Sequence, residues 1–194
     1  MARIPLIEKA DASPEVLAFY EKVAGWLTGQ PGPRATQGAL RPPQPWRALA
    51  HSPELANVIY EGSSYVLSRL PWAIDHLRLR QIIILAVTRR LKCEFAYQGH
   101  WPHCERAGVE RAIFEHLSTK AGLESAATSA LFTEDEKLLI AVADDLARTG
   151  NVPEKIFAAV VERWGARGAV EITAIVGYRM LTSVLINAFD LKDD

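Results

Sequence analysis

Cysteine is scarce in this chain, with only Cys93 and Cys104 among 194 residues. Two thiols cannot make a disulfide framework, and a reducing, cytoplasmic setting is expected. Net charge is equally spare: 22 Lys and Arg against 23 Asp and Glu leave −1. No basic patch argues for nucleic acid or for an anionic membrane surface, and neither partner is expected. Long apolar runs are missing as well. The longest late uncharged stretch, Met180 to Phe189, is too short to cross a bilayer as a helix. The opening MARIPLIEKADASPE has no basic segment followed by an apolar core, so no secretory signal is expected. Period-two alternation with hairpin turns is absent, which argues against a sheet. GxGxxG, P-loop and GxSxG patterns are absent too, which removes the usual dinucleotide, nucleotide and serine-hydrolase signatures.

What remains is ordinary globular composition, 49% apolar and 23% charged. The length predicts a single domain over residues 1–194, or two small helical halves sharing a core. The fold expected is all-α, with about seven or eight helices. Ser13-Pro14-Glu15 and Ser52-Pro53-Glu54 each read as N-cap, first helical residue and acidic first turn. Val16, Phe19, Tyr20 and Val23 follow the first at helical spacing. Between the two, prolines 31, 33, 42, 43 and 45 predict an irregular Pro-rich arm over about 29–45. Such an arm covers a pocket or contacts a neighbouring subunit.

Pro71 breaks the chain, and a helix is expected from Ala73 to about Arg90. Its centre, Ile82 to Val87, is apolar on every side and belongs deep in the core. A further helix is expected from Cys93 to about Ala107, kinked by Pro102, which removes a backbone donor, and closed by Gly108. A short helix follows over Glu110 to Leu117, and the Ala/Ser-rich 121–130 reads as a loop. Thr133 and Glu136 form a capping box for a helix that ends at Gly150. Pro153 opens another helix, residues 165–168 turn the chain, and Ala169 to Leu191 make a long apolar final helix. Such a helix is a core element or a subunit interface.

Chemistry concentrates between Gln81 and Gly108. Cys93, Tyr97 and His100 lie at i, i+4 and i+7, on one face of a helix, beside Glu94. His100 is the best general acid/base, because a free imidazole titrates near neutrality. Cys93 at a helix start is placed for thiolate character. The alternative is that Cys93 is a small buried hydrophobe, Tyr97 core and His100 a hydrogen-bonded filler. Cys93 and Cys104 are eleven positions apart, about 16 Å of helical rise, which is beyond disulfide reach. His100, His103, Cys104, Cys93 and Glu94 match no standard zinc spacing, and no metal is expected. His51, His76 and His116 read as surface or helix-end residues.

The stretch LRLRQIIILAVTRRLKCEFAYQGHWPHCERAGV resembles the signature helix pair of the carboxymuconolactone decarboxylase and AhpD-like alkylhydroperoxidase superfamily. The downstream FTEDEKLLIAVADDLARTGNVPEKIFAAVVERWG and VEITAIVGYRMLTSVLINAFDL are similar to the second half of longer members, so the resemblance runs from about Trp46 onward. It implies an AhpD-like helical bundle, a homo-oligomer and a small-molecule substrate. It also implies a lyase that works without metal or organic cofactor. Cys93, Glu94, Tyr97 and His100 fall on the matching catalytic positions, with Gln81 and Trp101 as substrate-binding residues. Ala96 stands where peroxidase members carry a second cysteine, and Gln81 stands where they carry a glutamate. The first function implied is therefore acid/base chemistry by His100 on a small organic acid, by decarboxylation or a lactone- or enol-type reaction. A thiol-dependent peroxidase through Cys93, resolved by an external thiol, is the second. A non-catalytic helical oligomer with a small-molecule pocket is the third.

Overall fold

The computed structural model describes residues 2–27 and 41–192. Among them every regular element is helical. The chain divides into two compact units: one runs to Tyr65 and resumes at Leu185, and the other is Val66–Val184.

The first unit holds α1 (Pro14–Leu27), α2 (Gln44–Leu49) and most of α3 (Pro53–Ser68). Phe19, Tyr20 and Val23 bury one face of α1 against Leu49, Ala56 and Ile59. Trp26, Trp46 and Tyr60 meet edge to face around them, with ring centroids 6.0–6.4 Å apart, the geometry that the ring quadrupoles favour. Arg47 is completely buried. It forms an ion pair with Glu8 and donates to the Pro42 carbonyl at 2.9 Å. A buried guanidinium needs such partners to offset its desolvation. The Pro-rich arm lies largely outside the described residues. Its far end is helical, because Pro45 occupies the first turn of α2, where a missing amide donor costs nothing.

The second unit is built around α5 (Leu77–Arg90), which packs most heavily on α10 (Glu134–Thr149). Ile82 to Val87 have no exposed surface at all. A helix apolar on every side has no other stable place. Pro71 breaks the chain as expected, after α3 ends at Ser68, but the helix expected from Ala73 is divided in two. Pro71 opens the short α4 (Pro71–Asp75), and His76, at φ −125° and ψ 53°, separates the two helices. The expected single helix from Cys93 is likewise two: α6 (Glu94–Gly99) and α7 (Trp101–Arg106), with His100 between them. Pro102 near the start of α7 explains this, since proline is accepted in a first turn and not mid-helix. Residues 121–130 are not a loop. Thr119 caps α9 (Lys120–Ser125) by accepting from the Gly122 amide, and a 3-10 turn, Ala126–Thr128, follows. These short segments, with α8 (Arg111–Leu117) and α11 (Glu154–Ala188), take the helices past the seven or eight expected.

Thr133 and Glu136 form the capping box of α10, and Gly150 closes it at φ 75°. Glu136 is also buried against Arg78 of α5, 2.7 Å away, so the cap ties the two central helices together. The chain turns at Gly165 alone, at φ 71° and ψ 173° inside α11. By length and composition α11 could cross a membrane. Its charged residues beyond the Gly165 break are held by protein groups: Arg167 pairs with Glu171, which also accepts from the Trp72 amide at 2.8 Å.

Candidate functional site

The site begins at the end of α5. The Lys92 amide bonds the Arg89 carbonyl at 3.0 Å, and the Cys93 amide bonds the Thr88 carbonyl at 2.8 Å, with Lys92 left-handed at φ 54°. These are the two bonds of a Schellman closure. The chain reverses there and delivers Cys93 as the residue that starts α6. Cys93 is 1% exposed. Burial pushes its thiol up, against the lowering influence of the Ala96 amide, the Arg179 charge and the Ser183 hydroxyl. Desolvation therefore wins over the helix start, contrary to the thiolate character expected from position alone.

His100, half-buried between α6 and α7, is engaged at both ring nitrogens. Nδ1 lies 3.2 Å from Gln81 Oε1, and Nε2 lies 2.7 Å from a terminal nitrogen of Arg179. A guanidinium only donates, so Nε2 is the acceptor and carries the lone pair. Nδ1 then carries the proton and donates to the Gln81 carbonyl oxygen. Gln81 is 1% exposed, so this anchor is fixed within the core. Two helices and the α6–α7 junction thus converge on one imidazole, and these contacts assign its tautomer.

Arg179 and Ser183 were not legible as site residues in the local motif, because they lie some eighty residues downstream. A signal existed. Ile172, Ile175, Val176 and Ile186 form the buried face of α11, and Arg179 and Ser183 fall in the same stripe at helical spacing. Ser183 has no exposed surface, and its hydroxyl makes no hydrogen bond of good geometry, although it faces the Cys93 thiol.

The other expected residues go elsewhere. Glu94 is exposed and bonds Arg89 at 3.0 Å and Gln98 at 2.7 Å, so the structure does not bring it to His100. The Tyr97 ring is buried under the Arg89 guanidinium, 4.5 Å from the ring centre, and its hydroxyl donates to the Phe114 carbonyl. Burial pushes that phenol far up, out of the useful range for proton transfer. Trp101 packs edge-on against Phe114 and under Arg111. The His103 ring centre lies 5.2 Å from that of His100. Cys104 is fully buried, with its thiol pushed up to about 12 by burial, and both cysteines are free. Among the described residues no three His, Cys, Asp or Glu side chains are placed to hold a metal ion.

What converges is therefore Gln81, Cys93, His100, Arg179 and Ser183: one imidazole, one cation, one hydroxyl, one thiol raised by burial and one amide. That set suits proton transfer beside a developing negative charge. No family model, curated protein or solved structure matches the chain.

Proposed function

We propose that the chain is a carboxymuconolactone decarboxylase-like protein that performs cofactor-independent acid/base chemistry on a small organic acid, with His100 as the base. The observation that carries this reading is the Gln81–His100–Arg179 chain of contacts. Gln81 fixes the tautomer, so the lone pair sits on the nitrogen that faces Arg179. The Nε2 lone pair removes a proton from a carbon next to a carbonyl. The C–H electron pair moves into the C–C bond, and the carbonyl electrons move onto oxygen as an enolate. The Arg179 charge offsets that oxyanion. The imidazolium then returns its proton to the same or a conjugated carbon, which completes an exchange or an isomerisation. A substrate that carries a β-keto or vinylogous carboxylate reaches the same enolate by losing CO2.

The burial and raised thiol of Cys93 favour this reading over a peroxidase. The test is deuterium incorporation at carbon, followed by proton NMR in D2O over a panel of 2-oxo acids and lactone acids. The wild-type chain should catalyse exchange on at least one class. His100→Ala should slow it by about 10²- to 10⁴-fold while keeping its helical circular dichroism. Equal rates in the two proteins would overturn the assignment.

A further inference from the structure

We infer that the outward face of α11, from Val170 to Val184, is where a second copy of this chain docks, with the two helices antiparallel about a two-fold axis level with residue 179. The seam is independent of the acid/base reading above and lies on the side of α11 opposite Arg179.

This face lacks what a solvated helix face carries. Between Gly168 and Ala188 the only charged residues are Glu171 and Arg179. Both are held by groups of their own unit: Glu171 accepts from Arg167 and from the Trp72 amide, and Arg179 donates to His100. What faces outward is Val170, Ala174, Gly177, Leu181 and Val184, at alternating steps of four and three. Val170, Leu181 and Val184 are 68%, 44% and 55% exposed. Such spacing draws a single line along a helix and is the seam of a helix pair, whereas a face that meets water is ordinarily polar. Gly177 points the same way. It stands inside the helix, where glycine costs stability relative to alanine. Its φ is not positive, and a Cβ added there would meet nothing within 4 Å. Gly168 is the contrast, since its added Cβ would lie 2.5 Å from the Trp164 side chain. The chain itself thus demands a glycine at 168 and not at 177. A close approach from outside accounts for Gly177.

The order of sizes names the occupant. Ala174 and Gly177 are small, and Leu181 and Val184 are large. Parallel copies would set Leu181 against Leu181 and Gly177 against Gly177, which wedges the helices apart at one end. Antiparallel copies centred on residue 179 set Leu181 against Gly177 and Val184 against Ala174, twice each by symmetry. Every large side chain then meets a gap, and the helices stay evenly spaced. A patch that complements itself in this way is what a two-fold interface requires. Charge agrees, because antiparallel helices lay each positive N-terminal end beside a negative C-terminal one. A lipid surface draws nothing from this order, since glycine adds no apolar area to it. The seam and the flanking Thr173 and Met180 offer on the order of 1,000 Å² across two copies, the low end of specific interfaces, which makes the dimer a reversible one.

The experiment is sedimentation velocity of the whole chain over a range of concentrations, with circular dichroism on every variant. The wild type should pass from the mass of one chain to that of two as concentration rises. Leu181→Glu should keep its helical content and weaken the dimer about a hundredfold or more, since it buries an unpaired carboxylate. Gly177→Leu should weaken it about tenfold or more by overfilling the seam. Gly177→Leu combined with Leu181→Gly keeps the composition of the wild type and exchanges the large residue with the gap, so it should recover the dimer. A wild type that stays monomeric throughout, or a dimer that Leu181→Glu leaves intact, would overturn the seam. A double variant that dimerises no better than Gly177→Leu would overturn the antiparallel pairing. A monomeric wild type that floats with phosphatidylcholine–phosphatidylglycerol vesicles, and loses this in Leu181→Glu, would give the face to lipid and overturn the proposal. If Leu181→Glu does not fold, Gly177→Leu and the double variant decide, because neither brings a charge to the helix.

Discussion

His100 is held at both nitrogens, and the two contacts impose opposite roles on them. Because Arg179 can only donate, the tautomer follows from the partner rather than from the histidine. Nitrogen-15 NMR of the imidazole at neutral pH should therefore show Nδ1 protonated and Nε2 bare. The reverse pattern would contradict the geometry. The same logic explains what was readable at this scale. His100, Cys93 and Gln81 stand within twenty residues of one another, and the helical pattern alone draws them together. Arg179 and Ser183 arrive from a distant helix, and no local spacing marks them. Glu94 stands beside Cys93 in the sequence, but Arg89 captures it at the surface. Lys92 is a second residue the sequence does not mark. It takes the left-handed conformation that Gly108 and Gly150 take elsewhere, and nothing in a lysine announces it. Lys92→Gly should stabilise the fold by about 1 kcal/mol in urea titrations, since a side chain in that region is strained.

At the scale of elements, starts were more legible than breaks. Ser-Pro-Glu at α1 and α3, and the Thr133–Glu136 box at α10, are side-chain chemistry that acts within one turn. The break at His100 is announced by Pro102 two residues on, whereas the break at His76 carries no turn signature of its own. Residues 121–130 read as a loop because Ala and Ser are common there. Thr119 is a cap that its surroundings hid. In α11 the turn at residues 165–168 contracts to Gly165, at φ 71° and ψ 173°, a conformation essentially confined to glycine. A Cβ there would meet nothing within 4 Å, so the cost of Gly165→Ala is backbone strain alone, about 1–3 kcal/mol. Gly122 is the opposite case. Its added Cβ would lie 1.7 Å from the His116 carbonyl oxygen, so Gly122→Ala must displace α8 from α9. Chemical denaturation should rank Gly122→Ala as the more destabilising of the two, and the reverse order would refute this division.

Across the whole molecule, the all-α class followed from the absence of two-residue alternation and the abundance of helix starts. Two helical halves were among the readings of the length, but their boundaries were not legible, because they fall inside α3 and α11, where composition does not change. Both units nevertheless carry the same electrostatic arrangement. Each buries weak acids in neutral form and holds carboxylates ionised by arginine. Burial pushes the Tyr20 phenol and the Cys104 thiol up to about 12, and raises Tyr97 and Cys93 as well. In the unfolded chain these groups ionise in their ordinary ranges, the thiols first. Their contribution to stability is thus complete below the free-thiol range and is lost as pH rises toward the folded values. Each proton that only the unfolded chain releases tilts the curve by about 1.4 kcal/mol per pH unit. The acid side has the opposite sign. Hydrogen bonds from Arg41 hold Glu8 below the usual carboxylate range, and those from Arg78 do the same for Glu110. Burial opposes the shift at Glu171, but the Arg167 and Trp72 hydrogen bonds prevail. That stabilisation is present above the ordinary carboxylate range and is lost as pH falls through it. Melting temperature against pH should therefore show a plateau near neutrality that drops at both ends. Cys104→Ala should flatten the alkaline arm by about one proton while leaving the acid arm unchanged, even though the cavity lowers the plateau itself. An alkaline slope identical to wild type in Cys104→Ala would mean that the buried thiol is not what sets that edge.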